Sequence, residues 1–173
     1  MSMYPIASTT LGSAGSISFS LIPQTFTHLQ ARLFVREAST SGSSGVTWWW
    51  NSQPSGIAAY HLVQGDGSSA TSTSAVSASN LICNGIPGTS ATSGIYSCFI
   101  IDILDYTNTS KNKTAKIMGG YDANGSGVVS LQSGLIQSTS AVSSLYFQSY
   151  YSNLAAGSRI DLYGITTSNV TGA

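Results

Sequence analysis

The apolar residues of this chain recur at every second position, in short runs that turn-forming residues separate. The run at 16–22 alternates apolar with small polar residues and stops at Pro23. The run at 28–36 places its apolar side chains on one face and mostly polar side chains on the other. A period of two is typical of half-buried β-strands, and no convincing helical periodicity with end caps accompanies it. The pattern therefore predicts an all-β fold.

Further strand-like runs follow at 46–51, 58–63, 96–106, 113–120, 127–137, 142–151 and 159–165, with turn signals such as Asp66-Gly67 and Asn124-Gly125 between them. We predict an antiparallel β-sandwich, jelly-roll-like, of about eight to ten strands with no substantial helix. The near-continuous apolar run at 96–106 indicates burial on both faces or an interface on one. Residues 67–80 fit either a weak strand pair or an exposed loop.

The predicted domain organisation is simple, since 173 residues suit one domain with a sizeable core. We expect an N-terminal arm at 1–15, a single β-sandwich domain at 16–166 and a C-terminal tail at 167–173. No run approaches the about 18 continuous apolar residues of a membrane helix, and the first residues lack the pattern of a signal peptide. We therefore expect neither membrane insertion nor a secretion signal.

Charge is scarce, because only 7% of the residues are charged against about 25% in ordinary domains. Six basic and six acidic side chains give a net charge of zero. That balance argues against nucleic-acid binding, which needs a basic surface, and it leaves little repulsion to oppose self-association. The charges cluster in two places that we expect to be rim contacts of a neutral surface: Arg32, Arg36 and Glu37, and Lys111, Lys113 and Lys116.

The side chains that could carry catalysis or bind metal form no convincing site. His28 and His61 are the only candidate bases, and no Gly-x-Ser-x-Gly elbow accompanies them. Asp102 and Asp105 would lie on opposite strand faces, which disfavours paired-carboxylate chemistry. The segment 122–127 resembles the start of a calcium loop but lacks a distal Glu, and a hairpin explains it better. We predict no catalytic residue, no cofactor and no metal, and hence a protein that is not an enzyme.

The two cysteines are too few for a disulfide scaffold. Cys98 lies in an apolar run, which predicts a buried thiol, and a Cys83–Cys98 disulfide stays an alternative.

The aromatic residues are the remaining functional signal. Trp48 and Trp50 share one strand face and Trp49 takes the other, so one face is expected to be core. A second cluster includes Tyr150 and Tyr151. Strand packing explains such residues well, but large aromatics also anchor protein interfaces and stack on sugar rings. The candidate interface or glycan contacts are Trp48, Trp49, Trp50, Tyr150 and Tyr151.

Four segments, at 22–30, 102–111, 120–127 and 156–165, together resemble small β-rich virion structural proteins of tailed bacteriophages. Related sequences are similar to capsid decoration proteins or to the outer domains of tail and head fibres. Leu162–Ile165 matches the closing strand of that family, whereas Trp48–Trp50 departs from it. The family has no defined catalytic motif, so the resemblance implies no catalytic residue. It implies a virion protein made in the host cytoplasm.

Three functions follow from these observations. The first is a decoration or cement protein that binds phage capsid proteins and forms a homo-oligomer, expected to be a trimer or another symmetric ring. The second is a tail or head fibre module that binds host surface glycan. The third is a free carbohydrate-binding module outside any virus. The chain length favours the first over the second, because a fibre needs a shaft or attachment domain.

Overall fold

The computed structural model describes residues 1–40, 43–52 and 56–167. Within these ranges the chain forms twelve β-strands and no helix. In chain order the strands are β1 (Ser2–Thr10), β2 (Ile17–Phe19), β3 (His28–Val35), β4 (Ser43–Trp50), β5 (Ala58–Gly65), β6 (Ala70–Ala78), β7 (Leu81–Pro87), β8 (Ser97–Ile103), β9 (Lys113–Asp122), β10 (Gly127–Ile136), β11 (Leu145–Ser149) and β12 (Arg159–Thr166). The prediction of an all-β antiparallel sandwich is confirmed, but the described residues form twelve strands and not the expected eight to ten, since β1, β6 and β7 add to the predicted runs.

The strands form two sheets. One has eight strands in the order β1-β12-β3-β8-β9-β10-β5-β6, and the other has four in the order β2-β11-β4-β7. All of the recorded pairings are antiparallel. A single apolar core contains side chains from both sheets. The second face of the larger sheet, which we call the outer face, points away from this core.

Alternation in the sequence decides which side chains enter the core. Along β3, Leu29, Ala31 and Leu33 are buried, while the intervening residues are exposed or half-buried. Along β8 the buried set includes Phe99 and Ile101. Since successive side chains of a strand point to opposite faces, the residues that alternate with these buried ones form the outer face.

Two hairpin turns follow the chemistry that their sequences favour. Between β5 and β6, the Asp66 carboxylate accepts the backbone N–H groups of Ser68 and Ser69. Between β9 and β10, Asn124 and Gly125 both adopt positive φ, at 56° and 113°. Only Gly, Asn and Asp adopt such values at little cost. The predicted hairpin at 122–127 is therefore confirmed.

The chain ends differ from the expectation. Residues 1–15 were predicted to be an arm, but β1 pairs with β12 over eight residue pairs and forms one edge of the larger sheet. The sequence pattern of β1 is weak because none of its residues is fully buried. Of the predicted tail at 167–173, only Thr167 belongs to the described residues, and its backbone N–H donates to Thr27 Oγ1. The uncertain segment 67–80 contains β6, the opposite edge of the same sheet.

Candidate interaction surfaces

Two of the three tryptophans belong to the core. The side chains of Trp48 and Trp50 are 0% and 1% exposed, and their ring centroids lie 5.8 Å apart. Trp48 also stacks on Phe147 at 6.1 Å. Because β4 has one face on the core, alternate residues enter it together. This burial removes Trp48 and Trp50 from the candidate contact residues.

The remaining candidate aromatics lie on the surface. Trp49 is half-buried on the other face of β4, where its ring lies 4.4 Å from that of Tyr146. Tyr150 and Tyr151 are 56% and 70% exposed and meet edge to face at 4.7 Å. Tyr150 also lines a depression of about 280 Å³ together with Tyr60. These rings are available to a ligand.

Three of the six predicted rim charges are instead buried. Arg36 is 7% exposed, and its guanidinium donates to four backbone carbonyls, those of Gly88, Ala91, Thr92 and Ile95, at 2.8–2.9 Å. Glu37 is fully buried, and its Oε1 accepts the Ser149 hydroxyl at 2.5 Å. The prediction of rim contacts is wrong for both residues, because neighbouring segments supply polar partners that the local sequence does not show.

Lys113 is the third buried charge. It is 1% exposed, and its Nζ donates to the backbone carbonyls of Asn108, Lys111 and Thr139. The ammonium thus joins two loops, the one between β8 and β9 and the one between β10 and β11. It is a structural group rather than a rim contact.

The other three predicted rim charges are exposed. On the outer face, the Arg32 guanidinium lies 5.3 Å from the Tyr163 ring centroid, and its Nε donates to Gln30 Oε1 at 3.0 Å. Lys116 Nζ lies 3.9 Å from an Asp102 carboxylate oxygen. Lys111 pairs with Asp105 at 3.2 Å. Such exposed pairs contribute little stability, so these charges are free to bind a partner.

The outer face of the larger sheet carries an apolar row that our sequence analysis did not identify. Ile100 of β8 pairs with Met118 of β9, Met118 pairs with Leu131 of β10, and Leu131 pairs with Val63 of β5. Met118, Leu131 and Val63 are 47–53% exposed. The sequence contains a signal for this row. In each of these strands an apolar residue stands between two neighbours that point toward the core.

The row continues to both edges of the sheet with polar residues. Ile100 pairs with Arg32, Arg32 with Asp161, and Asp161 with Ser8 of β1. On the other side, Val63 pairs with Ser72 of β6. Eight side chains therefore cross the whole sheet in one line, with the apolar ones in its centre. We call this line the transverse row.

A second, polar line lies beside the transverse row. Gln30, Asp102, Lys116, Ser133 and His61 occupy paired positions on five adjacent strands. Gln30 Nε2 donates to Asp102 Oδ1 at 2.8 Å. Part of each line borders an open depression of about 750 Å³ in front of β5, β6, β9 and β10: Val63, Leu131 and Ser72 from the transverse row, and His61, Lys116 and Ser133 from the polar line.

The two candidate bases lie on different strands of the larger sheet, His28 on β3 beside Asp105 and His61 on β5. His28 Nδ1 accepts the backbone N–H of Asp105 at 3.0 Å, so this imidazole holds a turn. His61 lines the outer depression. Asp122 Oδ1 accepts the Asn124 N–H inside a hairpin. Among the described residues, no three His, Cys, Asp or Glu side chains lie close enough together to hold a metal ion.

Both cysteines are free thiols, and Cys98 is exposed although its apolar run predicts a buried thiol. Cys83 is buried in the smaller sheet, whereas Cys98 is exposed on the outer face. Cys98 alternates with Phe99, which takes the core position. The disulfide alternative is therefore not present in the structure.

The perturbed pKa values have structural causes. Burial raises the pKa of the Cys83 thiol and that of the Tyr106 hydroxyl, which donates to the Pro23 carbonyl. Burial lowers the pKa of Lys113. Backbone N–H donation from Ser69 and Ser68 lowers the pKa of Asp66. Each of these groups holds a turn, a loop or the core.

Within the described ranges, we find no helix long and apolar enough to cross a membrane. Comparison with known proteins gives no matching family model, no matching curated protein and no matching solved structure. A functional assignment therefore depends on the chain's own sequence and geometry.

Proposed function

We propose that this protein is a non-enzymatic structural protein on the surface of a bacteriophage particle, where it decorates the capsid and binds neighbouring capsid proteins. The observation that carries the proposal is the apolar centre of the transverse row. Ile100, Met118, Leu131 and Val63 form a continuous apolar strip on the solvent side of the sheet. Contiguous exposed apolar surface of this kind marks interaction sites.

The outer face is large enough for a stable contact. Its strands contain seven to ten residues each. With about 4.8 Å between strands and about 3.3 Å per residue, eight such strands cover roughly 34 by 25 Å. The resulting area of roughly 800 Å² is what one partner buries in an interface of standard size.

The charge distribution suits an assembly that must tolerate changing salt. The outer face carries two basic and two acidic side chains, Arg32, Lys116, Asp102 and Asp161, which lie at or beside one end of the apolar strip. Salt weakens contacts between exposed charges but leaves apolar burial in place. A contact centred on the strip would therefore persist across a range of ionic strength, as a particle outside its host requires.

The proposal is tested by adding the purified protein to capsids produced without it and measuring co-sedimentation. Leu131→Glu places a charge in the centre of the strip, and Leu21→Glu is the matched control, since Leu21 is 91% exposed elsewhere in the chain. We expect the wild type and Leu21→Glu to co-sediment and Leu131→Glu to remain in the supernatant. Equal binding by both variants, or no binding by the wild type, contradicts the proposal.

A second candidate function has its own supporting observation, the exposed pair Tyr150 and Tyr151 beside the depression that contains Tyr60. Exposed aromatic rings stack on sugar rings, so a fibre module or free carbohydrate-binding module would use this pair to bind glycan. A glycan array with Tyr151→Ala tests this function, with Tyr4→Ala as the control for an exposed tyrosine elsewhere. Sugar binding that Tyr151→Ala alone abolishes favours the glycan function over decoration.

A further inference from the structure

The described strands give the two sheets four edges, and three of these edges are protected against further pairing. β2 has only three residues. β1 contains Pro5 and a shift of register beside it. β7 is largely buried, and the backbone carbonyls of Asn84 and Gly85 accept hydroxyl donors from other strands. Short length, proline, irregular register and coverage are the usual ways in which proteins block edge-to-edge pairing.

The fourth edge, β6, has none of these features. It is nine residues long, exposed along most of its length, and contains neither a charged residue nor a proline. Its pairing with β5 stays in register from Ala70 to Ala75, and the one irregularity lies beyond that stretch, where Ser77 adopts positive φ. A long, neutral and regular edge is a template for another strand.

The ladder fixes which groups of β6 point outward. In an antiparallel pair, a residue directs both of its backbone groups to the same side, and the side alternates along the strand. The Asp66 N–H donates to the Ser69 carbonyl at 3.2 Å in the turn. Counting from this bond, Thr71 and Thr73 bond to β5, whereas Ala70, Ser72 and Ser74 direct their N–H and C=O groups away from it.

We infer that two copies of this chain pair through β6, antiparallel and about a two-fold axis, to give one continuous sheet. Three outward-facing residues on each copy provide about six backbone hydrogen bonds. The contact is isologous, since the same residues serve on both sides. The side chains of this stretch are small and uncharged, so they do not block the approach of a second backbone.

A second copy fits β6 better than an unrelated strand. Pairing with β1 of another copy would meet Pro5, which donates no hydrogen bond, and its register shift. Self-pairing also aligns the outer faces, because Ser72 ends the transverse row. Two rows would then join across the axis. The pairing is a property of the isolated chain, so its test is independent of the test of the proposed role on a particle.

The test uses the same substitution at the two ends of the transverse row. Ser72→Lys places a charge on the open edge of β6, and Ser8→Lys places it on the edge formed by β1, where Ser8 is also exposed. Ser72→Pro is a second variant, since it removes an outward N–H while leaving the bonds from Thr71 and Thr73 to β5 intact. Circular dichroism verifies that each variant keeps the sheet structure.

Sedimentation velocity over a wide range of protein concentration measures the assembly. We expect a dimer for the wild type and for Ser8→Lys, and a dissociation constant raised about tenfold or more for both Ser72 variants. We also expect hydrogen exchange at the amides of Ser72 and Ser74 to slow as the wild-type concentration rises. A monomer at every concentration, a trimer, or a dimer that both Ser72 variants leave intact overturns the inference.

Discussion

Replacing Arg36 by Met should destabilise the protein more than any other removal of a charge discussed above. The guanidinium is buried at the end of β3 and donates to four carbonyls, all within residues 88–95. That segment, Gly-Thr-Ser-Ala-Thr-Ser-Gly-Ile, has few apolar residues of its own to pack. Arg36 is therefore the main group that holds it against the sandwich.

The size of the effect follows from the hydrogen bonds. A hydrogen bond to a charged group contributes about 1.5–3 kcal/mol, and four such bonds share one side chain. The segment can open locally and return its carbonyls to water, so the contributions do not add fully. We expect a loss of about 3–5 kcal/mol in the free energy of unfolding. For a chain of this size that loss lowers Tm by roughly 6–20 °C.

Urea denaturation and calorimetry of Arg36→Met measure this loss. Arg32→Met is the matched control, because Arg32 lies four residues earlier in the chain and is exposed. The control should lose less than about 1 kcal/mol. Amide exchange in residues 88–95 should accelerate in Arg36→Met and stay unchanged in Arg32→Met. Equal stability of the two variants would refute the assignment of Arg36 as a structural anchor.

Three further predictions concern buried polar groups and the thiols. Both amide atoms of Gln132 are buried without a hydrogen-bond partner among the described residues, so Gln132→Met should raise the free energy of unfolding by about 1–2 kcal/mol; in urea denaturation, a loss of stability would contradict this. The raised pKa of Cys83 keeps its thiol protonated in the folded state while the unfolded chain ionises above pH 9. The free energy of unfolding should therefore fall as pH rises above 9, by about 1.4 kcal/mol per unit from this group, and a pH series of Cys83→Ala should lack that part of the slope. Finally, a thiol reagent should label Cys98 in the native protein and Cys83 only after unfolding, and labelling of both cysteines in the native state would show that Cys83 is accessible.

The alternation of apolar residues was enough to predict the fold class and many of the strand faces. The inward set of β3 follows directly from its sequence, and the hairpin at Asn124-Gly125 follows from turn chemistry. These features are local, since a period of two or a positive φ is decided by a few adjacent residues. The order of strands in the sheets is not local. β1 pairs with β12, more than a hundred residues away, and no periodicity within β1 indicates that partner.

The buried charges were not predictable for the same reason. Val35, Arg36 and Glu37 are all buried in succession, which breaks the alternation. Their partners come from segments distant in the chain, such as Ser149 and the Thr92 carbonyl. A charge cluster in the sequence does not reveal whether such partners exist.

The outer apolar strip was partly visible in the sequence. The run around Ile100 left open whether both of its faces were buried or one formed an interface. The structure places Phe99 and Ile101 in the core and Ile100 on the outer face. Only the pairing register then brings Ile100 beside Met118 and Leu131. The strip therefore emerges from the sheet order and not from any single strand.

We propose that this chain is a structural component of a phage particle surface. Quantitative mass spectrometry of purified particles, with the capsid protein as internal standard, measures how many copies each particle carries. We predict a copy number comparable to that of the capsid protein, retained after a high-salt wash. A handful of copies per particle would favour a fibre, and absence from the particles would contradict the claim.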